Sequence, residues 1–245
     1  MVLSKDDTFL ASFPKSGTTW LLNIVYHIMK GSSEHTNVDD MVPWLDCDPY
    51  NVISKSRRYF KTHVPFSWLP YDDTAKYIYI ARNPKDVAVS FYYFIENIQD
   101  QVLGCKREKN ISMESFINFF LDGKVLYGCW WSHVSEWYQA SISHNNILFL
   151  TYEELSQNQE KEIMKISHFL GKNIDQRMMN EISTKCSFIN MKNDSQSSMA
   201  TCKNFWRKGI CGDHVNFFSQ HQIKLFDKKS RQVLPPSLLR KLAIY

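Results

Sequence analysis

Three short apolar segments, Thr8 to Phe13, Tyr77 to Ala81 and Ile147 to Tyr152, are rich in strand-forming residues and carry too little polar alternation for a sheet with one wet face. They predict buried, parallel strands. Each is followed by a helical pattern. The first runs from Thr19 to Lys30 and ends at Gly31, a residue suited to the left-handed position after a helix. The second, Pro84 to Ile95, has Asn83 as its cap and Pro84 in its first turn. The third runs from Glu153 to Leu170 and stops at Gly171. Strand, tight turn and helix in alternation predict an α/β fold, a central parallel sheet flanked by helices. Residues 31–58 and 189–204 are polar enough to be long loops, but no repeat or linker divides the chain, so residues 1–245 are expected to form a single domain.

The chain has 245 residues, enough for a substantial core, and 44% of them are hydrophobic against 22% charged, which excludes a disordered or fibrous protein. A net charge of +4 is too mild for a dedicated nucleic-acid binder yet allows a local anion site. Six cysteines show no Cys-x-x-Cys or zinc-type Cys/His spacing, so no metal is expected. With no signal peptide and no apolar run near the ~18 residues of a membrane span, they read as reduced thiols of a cytoplasmic protein without membrane or nucleic-acid partners.

The chemistry concentrates at strand-to-helix turns, where backbone N–H groups and the helix dipole favour an anion. The turn Phe13-Pro14-Lys15-Ser16-Gly17-Thr18-Thr19-Trp20 adds a flexible glycine, three hydroxyls and one cation, and so reads as a phosphate cradle. It is not the Walker pattern, because Lys15 precedes Gly17. A second turn, Arg82-Asn83-Pro84-Lys85-Asp86, offers a guanidinium for bidentate phosphate binding, with Ser90 two turns along its helix. In Lys61-Thr62-His63-Val64-Pro65, His63 has the side chain best suited to removing a proton near neutral pH.

Pro14-Lys15-Ser16-Gly17-Thr18-Thr19-Trp20 resembles the 5′-phosphosulfate loop of the cytosolic sulfotransferases. The run Tyr79 to Ser90 is similar to that family's 3′-phosphate motif, Arg207-Lys208-Gly209 to its late Arg-Lys-Gly segment, and Lys61-Thr62-His63-Val64-Pro65 to its catalytic segment. The likeness covers nearly the whole chain. It implies a P-loop-like nucleotide-binding topology and transfer of a sulfuryl group from 3′-phosphoadenosine 5′-phosphosulfate (PAPS), leaving PAP, to a small-molecule hydroxyl or amine. On this resemblance His63 is the base, Lys15 and Lys61 stabilise the sulfuryl and leaving oxygens, and Ser90 restrains Lys15 until acceptor arrives. Ser16, Gly17, Thr18, Thr19, Arg82, Ser90, Arg207, Lys208 and Gly209 hold the phosphates, while Trp20, Tyr152 and Phe188 flank the adenine. Cys186 stands where the family has a hydroxyl, in Cys186-Ser187-Phe188 followed by Met191. Phe66, Trp68, Tyr93 and Phe94 are assigned to a pocket for a phenol, a monoamine or a sterol-like acceptor.

Three departures accompany the likeness. The chain begins almost at the first predicted strand, and the stretch between Met191 and Arg207 is shorter than the usual substrate lid; both are expected to open the acceptor side, favouring bulkier or weaker acceptors. The segment after Gly212-Asp213 carries Val215, Ser219, Gln220 and Lys224 in place of the family's Lys-Thr-Val-Glu contacts, predicting a monomer or an atypical dimer. Two alternatives stand beside this reading. A P-loop kinase requires a differently placed lysine, and a catalytically silent PAP/PAPS-binding relative would not need Lys15, Lys61 and His63.

Overall fold

The computed structural model describes residues 3, 5–31, 42, 44–46, 59–102, 111–193 and 205–244, with the backbone alone over 97–102. Among the described residues four strands, β1 (Thr8–Ala11), β2 (Tyr59–Thr62), β3 (Lys76–Ala81) and β4 (Ile147–Thr151), form one sheet in the order β2-β1-β3-β4. All three pairings are parallel, with Phe9 opposite both Phe60 and Tyr77, and Tyr79 opposite Phe149.

Both sheet faces are buried, which is why the strands read as continuous apolar runs. Period-two geometry then sorts the side chains. Phe9, Ala11, Tyr77, Tyr79 and Phe149 join an aromatic core on one face, while Leu10, Ile78, Ile80 and Leu150 join an aliphatic core on the other. Stacked pairs knit the aromatic side, with Phe9 and Tyr77 centroids 5.0 Å apart and Tyr79 4.9 Å from Trp137.

Helix α1 (Thr18–Lys30) buries Leu21, Leu22, Ile24, Val25 and Ile28 in the aliphatic core and ends at Gly31 in the left-handed conformation, as expected. Helix α2 (Pro84–Val102) starts where the sequence predicts, the Asn83 side chain accepting from the Lys85 N–H at 3.0 Å. It continues seven residues beyond Ile95, since no glycine or proline interrupts it before Gly104. After α3 (Met113–Leu121) and α4 (Trp130–Ser143), the expected helix from Glu153 to Leu170 is two helices, α5 (Tyr152–Gln157) and α6 (Gln159–Phe169). Asn158 divides them because its side chain caps the second, accepting from the Lys161 N–H at 3.0 Å. The polar stretches read as loops fall mostly outside the described residues. Where described, Phe188–Asn193 is helical instead, because the Ser187 hydroxyl accepts the Asn190 N–H and caps that turn.

Among the described residues no helix is long and apolar enough to cross a membrane, and no His/Cys/Asp/Glu cluster has the makings of a metal site. Cys129, Cys186 and Cys211 are free thiols, whereas Cys47, Cys105 and Cys202 lie outside the described residues.

Candidate active site

Each strand delivers a residue to the same edge of the sheet. Beyond β1 comes the turn carrying Lys15 to Thr18, beyond β2 His63, beyond β3 Arg82, and beyond β4 Tyr152. All four line one cavity of about 350 Å³. This is the carboxyl edge of a parallel sheet, and the chain reverses its order between β1 and β3, where open α/β sheets bind ligands. The lining contains Lys15, Lys61, Arg82, Arg207 and Lys208, and among the described residues no carboxylate. Such a cavity attracts a polyanion.

The first turn is bent by two residues of positive φ, Lys15 at 67° and Gly17 at 107°. Gly17 lies so close to Tyr152 that a Cβ would sit 2.9 Å from its ring. The Lys15 ammonium stands 4.2 Å from the Phe94 ring centroid and 3.9 Å from that of Phe205. Ser16 is buried with its hydroxyl lacking a hydrogen-bond partner among the described residues, and the Thr18 hydroxyl meets that of Ser12 at 2.5 Å.

Arg82 is held in place by backbone and ring contacts. Its Nη2 donates to the Ile210 carbonyl at 2.9 Å and its guanidinium lies 4.1 Å from the Tyr152 centroid. Among the described residues its Nε is buried without a partner, as are Nε of Arg207 and the indole N–H groups of Trp20 and Trp206. All four belong to residues lining the cavity. A buried donor left unpaired is costly, so these groups fit a site built to receive an acceptor-rich ligand.

Residues 205–214 are fastened over the cavity by two carboxylates. Asp213 pairs with Arg207 and, at 2.8 Å, with Lys208. Burial raises its pKa, but the Lys208, Arg207 and Asn216 hydrogen bonds dominate and bring it to about 2. Asp86, on the first turn of α2, accepts from the Gly212 N–H at 2.6 Å and from His214 through both its N–H and Nδ1. Gly209, with φ 68°, presses on Phe188 so closely that a Cβ would lie 2.1 Å from the ring. Sequence reasoning passed over Asp86, Asp213 and His214, which carry no local pattern and meet their partners only through the fold.

His63 is gripped at its ring and at both backbone polar groups. Its Nδ1 donates to the Ser12 carbonyl at 2.8 Å, an atom that can only accept, so Nε2 carries the lone pair. Its N–H donates to Asp46 at 2.8 Å and its carbonyl accepts from His133 Nε2 at 2.9 Å. Asp46 also takes the Thr62 hydroxyl, the Tyr127 hydroxyl and the Trp44 indole N–H. Burial, followed by the nearby Lys61 charge, lowers the His63 pKa to about 4, so its ring is neutral at pH 7. The Lys61 ammonium lies 4.9 Å from the Trp44 ring. Asp46, Trp44, Tyr127 and His133 are further residues that sequence reasoning did not single out.

Most of the residues named from sequence converge here: Lys15, Gly17, Thr18, Thr19, Trp20, Lys61, His63, Arg82, Ser90, Phe94, Tyr152, Phe188, Arg207, Lys208 and Gly209 line the cavity. Five do not. Ser16 is buried beneath the turn. Cys186 is fully buried in the aliphatic core, its thiol pushed up to about 12 by burial, and Ser187 lines the cavity beside it. Phe66 packs against Trp137 and Tyr77, Tyr93 packs against Phe217, and Trp68 is a surface residue, 76% exposed. Phe66 and Trp68 follow Pro65 into a short 3₁₀ turn, which carries their rings away from the sheet edge.

Comparison with known proteins places the chain. The sulfotransferase domain family matches residues 5–237. Human sulfotransferase 1E1 is 35% identical, the match covering 96% of this chain and 86% of the human protein. A guinea-pig (Cavia porcellus) 3-beta-hydroxysteroid sulfotransferase is 32% identical over 97% of this chain and 88% of its own. Mouse sulfotransferase SULT7A1, solved in complex with PAP, superposes with a TM-score of 0.78 at 29% identity, covering 99% of this chain and 90% of the mouse chain. The chain belongs to the sulfotransferase family, and it is an enzyme of the class that uses PAPS to sulfate small molecules.

Proposed function

We propose that this chain uses the cavity at the sheet edge to move a sulfuryl group from PAPS to a hydroxyl or amine of a small phenolic, monoamine or sterol-like acceptor. One observation carries the assignment to these residues: five cationic side chains, four buried donors unpaired among the described residues and the neutral His63 ring border a single cavity. PAPS, when bound, supplies the transferable sulfuryl group, and PAP is what remains after transfer.

Arg82, Arg207, Lys208 and Ser90 hold the 3′-phosphate, and the backbone of Gly17 to Thr19 with their hydroxyls cradles the 5′-phosphate. Tyr152, Trp20 and Phe188 wall the adenine, with Cys186 and Ser16 acting from beneath as packing. His63 Nε2 takes the acceptor's proton while the acceptor oxygen or nitrogen forms its bond to sulfur and the bond from sulfur to the phosphate oxygen breaks. Lys15 stabilises the charge left on that oxygen, and Lys61 the sulfuryl oxygens. Burial holds the His63 pKa down first and the Lys61 charge second; anionic donor beside Lys61 offsets the second of these, which strengthens the base once the donor is bound. Phe94, Trp44, Tyr127 and Leu126 border the acceptor side. The enzyme is read as cytoplasmic, in keeping with the free thiols of Cys129, Cys186 and Cys211, and as a monomer or atypical dimer, in keeping with Val215, Ser219, Gln220 and Lys224.

The test is acceptor-dependent formation of PAP from PAPS across phenols, catecholamines and sterols. The wild type is expected to produce PAP with at least one acceptor, and Lys15→Met to lose at least about a hundredfold in kcat while still binding PAP. PAP binding without turnover by the wild type would overturn the proposal in favour of a silent relative.

A further inference from the structure

A polar pair sits in the aromatic core behind the cavity. Tyr79, on β3, and His133, on α4 (Trp130–Ser143), are both buried, neither lines the cavity, and the Tyr79 hydroxyl meets His133 Nδ1 at 2.8 Å. Around them are Trp137, Phe13 and Phe149. Polar groups in such a place cost stability unless fully paired, and replacing both partners by apolar rings is often nearly neutral. Stability alone gives this pair no reason to be there.

The hydrogen bonds supply one. His133 Nε2 meets the His63 carbonyl at 2.9 Å, and a carbonyl only accepts, so Nε2 bears the proton and Nδ1 the lone pair. The Tyr79 hydroxyl therefore donates to Nδ1. The ring of Phe13, the residue that opens the turn carrying Lys15, packs edge-on against His133 with centroids 5.4 Å apart. The sequence of bonds runs Tyr79 O–H to His133 and His133 N–H to the His63 carbonyl. A second connection, His63 Nδ1 to the Ser12 carbonyl, ends one residue from Phe13. His63 is thus referenced twice to the start of the Lys15 turn, once by its ring through Ser12 and once by its backbone through His133, against which Phe13 packs.

We propose that His133 is a positioning residue, which with Tyr79 sets the register of His63 against the turn that carries Lys15. The inference rests on the reading of His63 as the base. Its physical content is alignment: proton removal must coincide with attack on a sulfuryl group whose place is fixed by the Lys15 turn, and a displacement of about 1 Å is worth about a hundredfold in rate. A relay of polarised hydrogen bonds is suited to hold such a distance, because each bond strengthens the next. Burial lowers the His133 pKa to about 4, which keeps the ring neutral and its acceptor nitrogen available to Tyr79 at pH 7.

The experiment compares four variants of the full chain, His63→Ala, His133→Phe, His133→Gln and Tyr79→Phe, by steady-state kinetics with PAPS and the best acceptor of the panel, calorimetric PAP binding and thermal melting. His133→Phe is expected to lose about ten- to a hundredfold in kcat with the PAP dissociation constant within about twofold of wild type. His133→Gln, whose amide N–H can take the place of Nε2–H, is expected to recover most of that loss, and Tyr79→Phe, which keeps the ring stacking, to fall between. A merely structural role would lower the melting temperature of all three core variants without separating Gln from Phe in kcat. That result overturns the proposal, as does a His133→Phe enzyme with wild-type kcat beside an inactive His63→Ala. An active His63→Ala enzyme would instead overturn the base reading itself, and the relay with it.

Discussion

Asp86 and His214 stand 128 residues apart in the chain and meet at 2.8 Å, carboxylate to Nδ1, in the buried first turn of α2. The same carboxylate takes the N–H groups of Gly212 and His214, so three donors from the segment that covers the cavity depend on one side chain. Burial acts to raise the Asp86 pKa, but the His214 hydrogen bond, the Arg82 charge and the Gly212 N–H together lower it. Asp86→Ala leaves all three donors unpaired and is expected to cost about 3 kcal/mol, read as a drop in urea midpoint. PAP affinity should fall with it, because Arg82 uses Ile210 of the same segment as an anchor. An Asp86→Ala protein with wild-type stability and affinity would remove Asp86 from this account.

The aromatic walls of the cavity rest on glycine backbone. Gly209→Ala would place a methyl group 2.1 Å from Phe188 at φ 68°, a conformation that alanine resists. Either Phe188 swings out of the cavity or residues 207–210 shift. PAP binding is expected to weaken by about tenfold or more, the scale of losing one well-packed aromatic contact. Calorimetry on Gly209→Ala checks this, and unchanged affinity would show that Phe188 is not part of the nucleotide wall.

The His63 pKa is expected near 4 in the free enzyme, below its ordinary value of 6.5, because burial and Lys61 disfavour the imidazolium. Binding of PAP adds negative charge to the cavity and should move it upward. Carbon-13 labelling of the histidine ring carbons, followed by NMR titration with and without PAP, reads both values. A free-enzyme value near 6.5 would contradict the burial and pairing described here.

Three buried groups give stability a specific dependence on pH. His63 and His133 have folded pKa values near 4, so between about 6.5 and 4 the unfolded chain binds two protons that the folded chain refuses. Glu153 acts the other way: burial raises its pKa to about 8, and the folded chain keeps a proton that the unfolded chain releases above about 4.5. From about pH 5 to 6.5 the net difference is one proton, and stability should rise by about 1.4 kcal/mol per pH unit. From 6.5 to about 8 only Glu153 contributes, and stability should fall at about that rate. Urea midpoints across this range test the maximum near pH 6.5. Glu153→Gln, which can still accept the Asn83 N–H, should abolish the alkaline decline, and a decline that persists would count against Glu153 as its source.

Much of the site was legible because it is local. The turn from Phe13 to Trp20, Arg82 at the head of its helix, and Lys61 with His63 each carry their chemistry within a few adjacent residues, and a parallel sheet brings such turns to one edge. The supporting groups were not legible. Asp46 meets His63 across 17 residues, His133 across 70 and Asp86 meets His214 across 128, and nothing in the local sequence distinguishes these from ordinary surface or core residues. Phe66 and Trp68 illustrate the opposite limit, for aromatic residues near a catalytic segment suggest a pocket until the backbone turns them away. The break at Asn158 was equally hidden, since asparagine is tolerated within helices and declares itself a cap only through its hydrogen bond.

Transfer of labelled sulfate from PAPS separates the possibilities, with wild type and His63→Ala compared against the same acceptors at pH 7. Label is expected on at least one phenol, amine or sterol with the wild type, and the His63→Ala rate is expected to be lower by at least about a hundredfold, with PAP binding retained. Equal transfer by both proteins would contradict the role given to His63. Transfer by neither, in a chain that fails to bind PAP, would contradict the assignment of the cavity itself.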